Sequence, residues 1–160
     1  TMNIVKLGGL PAPQFAAQLE KVKVAMKQME GCVDATELLQ TTNVTHHFEE
    51  GVYGRELLLP KGTIVVSRVH KTGSINVISK GVVEIVDTNG WREVRAPATF
   101  TSPKGTHRIV IALEETVWTG VHHSTETDEQ GLFVSLTSET YEDFLDYLEY
   151  GEDRCGQQPL

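Results

Sequence analysis

Residues 59–123 read LPKGTIVVSRVHKTGSINVISKGVVEIVDTNGWREVRAPATFTSPKGTHRIVIALEETVWTGVHH. Runs of β-branched residues alternate there with Gly, Pro, Asn and Lys at close spacing, the pattern of a small all-β sandwich or barrel. Just upstream, residues 44–50 and 52–59 read as two further strands with Gly51 between them. His46 and His47 are adjacent, so a regular strand points them to opposite faces, and both read as surface or edge residues.

The flanks read as helical. Phe15, Leu19, Val22, Met26 and Met29 recur at three- and four-residue steps after Pro13. That spacing predicts an amphipathic helix stopped near Gly31. Lys21, Lys23 and Lys27 give it a basic side. Tyr141, Phe144, Leu145 and Leu148 predict a last helix within residues 137–150, capped by Ser138 or Thr140. Glu139, Glu142, Asp143, Asp146 and Glu149 make this helix strongly acidic. An acidic helix beside a basic one invites contact, within or between subunits. Residues 2–13 read as a loose arm or edge strand, 34–39 as a short helical turn, and 151–160 as a frayed tail. The expected division is an arm and helix over 1–43, a barrel over 44–136, and the acidic helix and tail over 137–160.

A chain of 160 residues fits one domain with a core that needs no staples. A formal net charge of −8 leaves no basic stripe for phosphates, which argues against general nucleic-acid binding. No apolar run is long enough to span a membrane, and residues 2–10 lack the pattern of a signal peptide. Thr1 ahead of Met2 reads as a leftover of cloning. Cys32 and Cys155 lie near opposite ends and read as free thiols in a reduced, cytoplasmic setting. Neither has a patterned histidine partner that would make it a nucleophile. Residues 125–129 read as a solvated acidic loop.

The segment GTIVVSRVHKTGSINVISKG, residues 62–81, resembles the first cupin motif. Gly62 and Gly81 match its glycines and His70 its second histidine. Arg68 stands at the first histidine position and Ser74 at the glutamate position. Pro103-Lys104-Gly105-Thr106-His107 resembles the second motif, with the histidine one residue early. The order of turns, with the Thr125–Asp128 segment, is similar to that of small cupin-like proteins common in bacteriophage genomes. The resemblance implies a mainly β fold, a cupin-type double-stranded β-helix (jelly roll), here with N- and C-terminal α-helices. It also implies a homo-oligomer, at least a dimer, and a host-cytoplasmic setting.

Strand alternation places candidate residues in such a barrel. A hairpin turning at Lys71-Thr72-Gly73 pairs His70 with Ser74 and Arg68 with Asn76. A hairpin turning at Glu114-Glu115 pairs His107 with His122 and Ile111 with Trp118. If both hairpins line one barrel, the ligand pocket is Arg68, His70, Asn76, His107 and His122, with Trp118 and Tyr53 in its walls. Three readings follow. In the first, a metal-free cationic pocket binds a small polar or anionic, nucleotide-like molecule, since arginine forks match carboxylate and phosphate. In the second, His70, His107 and His122 hold a divalent transition metal (Zn, Fe, Ni or Cu) for an oxygenase, isomerase or lyase. In the third, the barrel is an inert structural or virion-accessory module whose histidines are core polar groups.

Overall fold

The computed structural model describes residues 3–34, 37–38 and 43–151. The chain opens with a 3-10 turn, Ile4–Leu7, and then helix α1, Ala12–Met26. Ten strands follow: β1 Val44–Glu49, β2 Val52–Leu59, β3 Ile64–Val66, β4 Val69–His70, β5 Ser74–Lys80, β6 Val82–Asp87, β7 Gly90–Arg95, β8 Ala98–Ser102, β9 Ile109–Ala112 and β10 Thr116–His123. A short helix α2, Leu132–Leu136, a two-residue strand β11, Thr137–Ser138, and helix α3, Tyr141–Tyr150, complete the described chain.

One sheet has the order β1-β2-β10-β5-β8, and a second has β3-β9-β6-β7. Every pairing is antiparallel. Consecutive strands cross from one sheet to the other, apart from the β1–β2 and β6–β7 hairpins. That is the double-stranded β-helix, or jelly roll, with β1 added at one edge. The inward faces meet in a core of Leu59, Ile78, Val83, Ile85, Val110, Ala112 and Trp118.

Helix α1 lies outside the barrel, across the β3-β9-β6 sheet. Phe15, Leu19 and Val22 pack on Val86 and Ile109, with Ile64, Val66 and Ile111 around them. The helix ends at Met26, earlier than the spacing predicts, and Met29 is 59 % exposed. The arm is not an edge strand: its 3-10 turn packs on the β6–β7 hairpin, where Gly9 N donates to Asp87 O at 3.0 Å. Asp34 and Glu37 cap each other's backbone amides, as a helical turn requires. The rest of that predicted turn, residues 35, 36 and 39, lies outside the described residues, as do Cys155 and the predicted tail from residue 152.

α3 starts at Tyr141 because Thr140 and Asp143 form a reciprocal capping box. It stops at Gly151, whose φ of 77° is the left-handed conformation that ends helices. Among the described residues no helix is long and apolar enough to cross a membrane.

Candidate functional site

The register of the first sheet builds three rows of inward side chains. Tyr53, His122, Ser74 and Ser102 stand opposite one another in the first row, nearest one end of the barrel. Arg55, Gly120, Asn76 and Phe100 form the second, and Leu57, Trp118, Ile78 and Ala98 the third. The apolar third row continues into the core, so polarity grades along the barrel axis. Gly120, in the middle of the polar rows, has no side chain, and the His122 ring lies over it. A Cβ there would stand 3.2 Å from His122 Nε2 and 3.9 Å from Asn76 Oδ1.

Two further groups enter from outside this sheet. His70 on β4 brings its ring to 5.8 Å from that of His122. Arg108, just ahead of β9, shares the inward parity of Val110 and Ala112. Its Nη2 donates to Ser102 Oγ at 2.7 Å, and its guanidinium lies 5.4 Å from the Trp118 ring centre. Asn76 connects the same network: Trp118 Nε1 donates to Asn76 Oδ1 at 3.0 Å, and Asn76 Nδ2 donates to Ser102 Oγ at 2.9 Å.

The remaining polar atoms are unmatched. Arg55 Nε, His70 Nδ1, His122 Nδ1 and Ser74 Oγ are buried without a hydrogen-bond partner. Each such atom costs roughly 1–3 kcal/mol relative to a bonded one. No carboxylate pairs with Arg55 among the described residues. Burial, followed by the charges of Arg108 and Arg55, holds His70 well below its ordinary pKa. Burial, with Arg55 and then Arg108, pulls His122 down to about 4. Burial also lowers the Arg108 guanidinium to about 10, and it lowers Arg55. The site is therefore two guanidiniums and two neutral imidazoles, with Asp87 as the acid whose charge acts on Arg108. Asp87 is already engaged by Arg92, at 2.9 and 3.1 Å.

The end of the barrel is covered. Helix α2 lays Leu132 and Leu136 on Tyr53, and β11 pairs with β4, Thr137 opposite His70. Lys71 N donates to Leu136 O at 2.8 Å. On the adjoining flank a cleft of about 460 Å³ runs past Gly51, Val52, Gly73, Ser74, Ser102 and His122.

Tyr53, His70, Asn76, Trp118 and His122 thus lie together in the barrel, but neither hairpin assumed from the sequence exists. β5 pairs with β10 and β8, while β4 pairs with β11. β9 and β10 sit in different sheets. Arg68 therefore does not meet Asn76; its Nε donates to Thr137 Oγ1 at 2.8 Å and fastens the cover. His107 does not meet His122 either. It shares the parity of Ile109, and that face turns outward to α1. Its ring stands 5.2 Å from Phe15 and 5.4 Å from Tyr141, and its Nδ1 donates to Gly105 O at 2.9 Å. His46 points inward rather than out, with its Nδ1 2.7 Å from the Tyr53 hydroxyl. Arg55 and Arg108 were missed by the sequence reading. Arg55 was legible as the alternate neighbour of Tyr53 and Leu57 in β2, and Arg108 by its parity with Val110.

The resemblance of residues 62–81 and 103–107 to the cupin motifs raises the question of a metal, and these residues do not fit one. Among the described residues no three His, Cys, Asp or Glu side chains converge as ligands. His70 and His122 supply two imidazoles, His107 lies outside the barrel, and two guanidiniums repel a dication.

No protein-family model matches the chain, and no curated protein does. Among solved structures it is similar to a Cupin_2 domain of an XRE family transcriptional regulator from Enterobacter cloacae. There the identity is 14 % over 52 % of this chain and 96 % of that one, with a TM-score of 0.45. It is similar to a cupin domain from Bordetella pertussis, at 20 % identity over 51 % of this chain and 91 % of that one, TM-score 0.43. It is also similar to an acetylacetone dioxygenase from Acinetobacter johnsonii, at 14 % identity over 50 % of this chain and 58 % of that one, TM-score 0.45. These likenesses are loose, and the strand order carries the fold: the chain is a mainly β, cupin-type jelly roll with terminal helices.

Proposed function

We propose that the barrel binds a small, compact oxyanion, a carboxylate or phosphate, without a resident metal. The observation that carries this reading is the convergence of unpartnered buried atoms on Arg55, His70, His122 and Ser74. A buried guanidinium with no carboxylate is costly unless something neutralises it, and an oxyanion accepts from guanidinium, imidazole N–H and hydroxyl together. Gly120, between Arg55 and Asn76 in register, lets the His122 ring lie flat against the strand.

The occupant is compact because the aromatic faces are taken. Trp118 is covered by Arg108 and edged by Phe100, and Tyr53 is stacked by Phe48, His46 and His122. A nucleotide base would have no ring to stack on. Ser74 and His122 also line the flank cleft, which offers a way in beside the α2–β11 cover. From the sequence resemblance, the setting for such a binder is the cytoplasm of a phage-infected host.

The test is thermal shift with phosphate, sulfate and small dicarboxylates at about 10 mM, on wild type beside Arg55→Met. At 100 times its dissociation constant a ligand stabilises by about 2.7 kcal/mol. Stabilisation of wild type and none of Arg55→Met is expected. No shift of wild type with any of these anions overturns the reading. Elemental analysis showing one tightly held metal per chain, lost in His70→Ala, would restore the metal-dependent reading.

A further inference from the structure

At the end of the first sheet that carries the polar row, side chains change character over one residue. His122 and Ser74 stand opposite each other and turn inward, while Val121 and Ile75, one residue along, stand opposite each other and turn outward. Val52 opens β2 at the same end of the sheet. Ser74 is 8 % and His122 4 % exposed, whereas Ile75 is 49 % and Val52 47 % exposed. All five line the flank cleft of about 460 Å³, a volume in the range of small-molecule sites.

Lone exposed apolar side chains need no explanation, but neighbours that line one cleft form a patch. The patch joins the barrel site through two side chains. Ser74 and His122 line the cleft and also carry buried atoms without a hydrogen-bond partner, Oγ and Nδ1. Among the described residues that line it there is no lysine, arginine or acid, and His123 is its other titratable group. A second negative charge on a ligand therefore has no fixed cation to meet there. No phenylalanine, tyrosine or tryptophan lines it among the described residues either, so a saturated chain fits it better than a ring.

We propose that the ligand is an aliphatic monocarboxylate. Its carboxylate lies among Arg55, His70, His122 and Ser74, and its alkyl tail leaves the barrel to lie over Val52, Ile75 and Val121 in the flank cleft. The proposal rests on the oxyanion reading of the barrel and adds what the oxyanion is attached to. The head inside is compact, and the tail takes the room outside. A dicarboxylate or a sugar phosphate would set charge or hydroxyls against Val52 and Ile75, where their lost hydration is not replaced.

Calorimetric titration of the full chain with acetate, butanoate, hexanoate and octanoate tests it at about pH 7.5, where each carboxylate is ionised. Each added methylene is expected to lower the dissociation constant about threefold. Full burial, at about 0.8 kcal/mol per methylene, converts to about fourfold, and this cleft leaves one side of the tail in water. Val52→Thr/Ile75→Thr keeps the β-branched shape that strands favour and is expected to cut the hexanoate-to-acetate affinity ratio by about tenfold. Arg55→Met is expected to lose binding of the whole series, and hexanol, with the tail but no charge, is expected not to bind wild type. Equal affinity across the series overturns this proposal alone, as does phosphate or sulfate bound with no member of the series. So does a ratio that the threonine pair leaves unchanged; if that variant does not fold, the wild-type series and hexanol decide. Hexanoate held as tightly by Arg55→Met, or hexanol held as tightly as hexanoate, separates tail from head and overturns it too. Wild type that binds neither the series nor phosphate nor sulfate overturns the oxyanion reading and this proposal with it.

Discussion

The rings of His70 and His122 stand 5.8 Å apart inside the barrel, and neither Nδ1 has a hydrogen-bond partner. Burial first, and then the charges of Arg55 and Arg108, keep both imidazoles neutral, since a proton on either would add charge to an already cationic interior.

That relationship predicts a direction with pH. His122 binds a proton near pH 6.5 when unfolded and near 4 when folded. Between those values the unfolded state holds more protons, so stability is fully present above about 6.5 and falls as pH drops toward 4. The loss from His122 is about 3 kcal/mol over that window, and His70 adds to it in the same direction. Urea unfolding at pH 7.5 and pH 5 measures it, with His122→Phe expected to flatten the dependence. An unchanged midpoint in wild type across those two values would refute the arrangement.

The Trp118–Asn76–Ser102–Arg108 chain predicts a large effect from a small change. Asn76→Ala leaves Trp118 Nε1 without an acceptor and removes one of the two donors to Ser102. The cost is about 2–3 kcal/mol, read from denaturant midpoints. A double-mutant cycle of Asn76→Ala with Ser102→Ala should give a coupling of about 1 kcal/mol. Strict additivity would mean that the two side chains act separately.

Two glycines with left-handed φ should respond unequally to alanine. At Gly81, φ 91°, an added Cβ lands on Glu115 O and on the Thr116 backbone and side chain, so the strand crossing must shift. At Gly51, φ 76°, a Cβ meets open space. Gly51→Ala should therefore cost about 1–2 kcal/mol, the conformational penalty alone, and Gly81→Ala clearly more. Thermal melts rank the two, and equal losses would contradict the close approach at Gly81.

The cover should open on its own. Thr137→Val removes the Oγ1 that accepts from Arg68 Nε at 2.8 Å, next to the short β4–β11 ladder. Amide exchange over residues 132–138 is expected to rise about tenfold while the amides of β5 and β10 keep their protection. Faster exchange spread evenly through the barrel would instead mean that the cover is part of the global fold.

Much of the fold was legible in the chain. Hydrophobic period and punctuation marked the strands, the glycines and Pro103 marked their turns, and three- and four-residue spacing marked α1 and α3. These are local properties: the pleat alternates side chains and the helix repeats every 3.6 residues, whatever the partner. Hence Trp118 and His122 could be put on one face of β10, and Ser74 and Asn76 on one face of β5, from spacing alone. Even Thr140 as a helix cap needed only its neighbours.

Which face turns inward, and against what, belongs to the tertiary structure. The sequence reading joined β9 to β10 as a hairpin, because a short turn makes neighbours of strands it connects. In a jelly roll that turn instead crosses between sheets. The crossing sends His107 outward to Phe15 and Arg108 inward to Ser102, and the break after Val66 releases Arg68 to Thr137. One step of parity separates His107 from Arg108, and it decides whether the barrel holds a third imidazole or a second guanidinium. The chain alone determined the strands, the helices and the alternation within each. Only the packing of two sheets decided that Arg55 and Arg108 both turn into the barrel, because that depends on contacts between residues far apart in sequence.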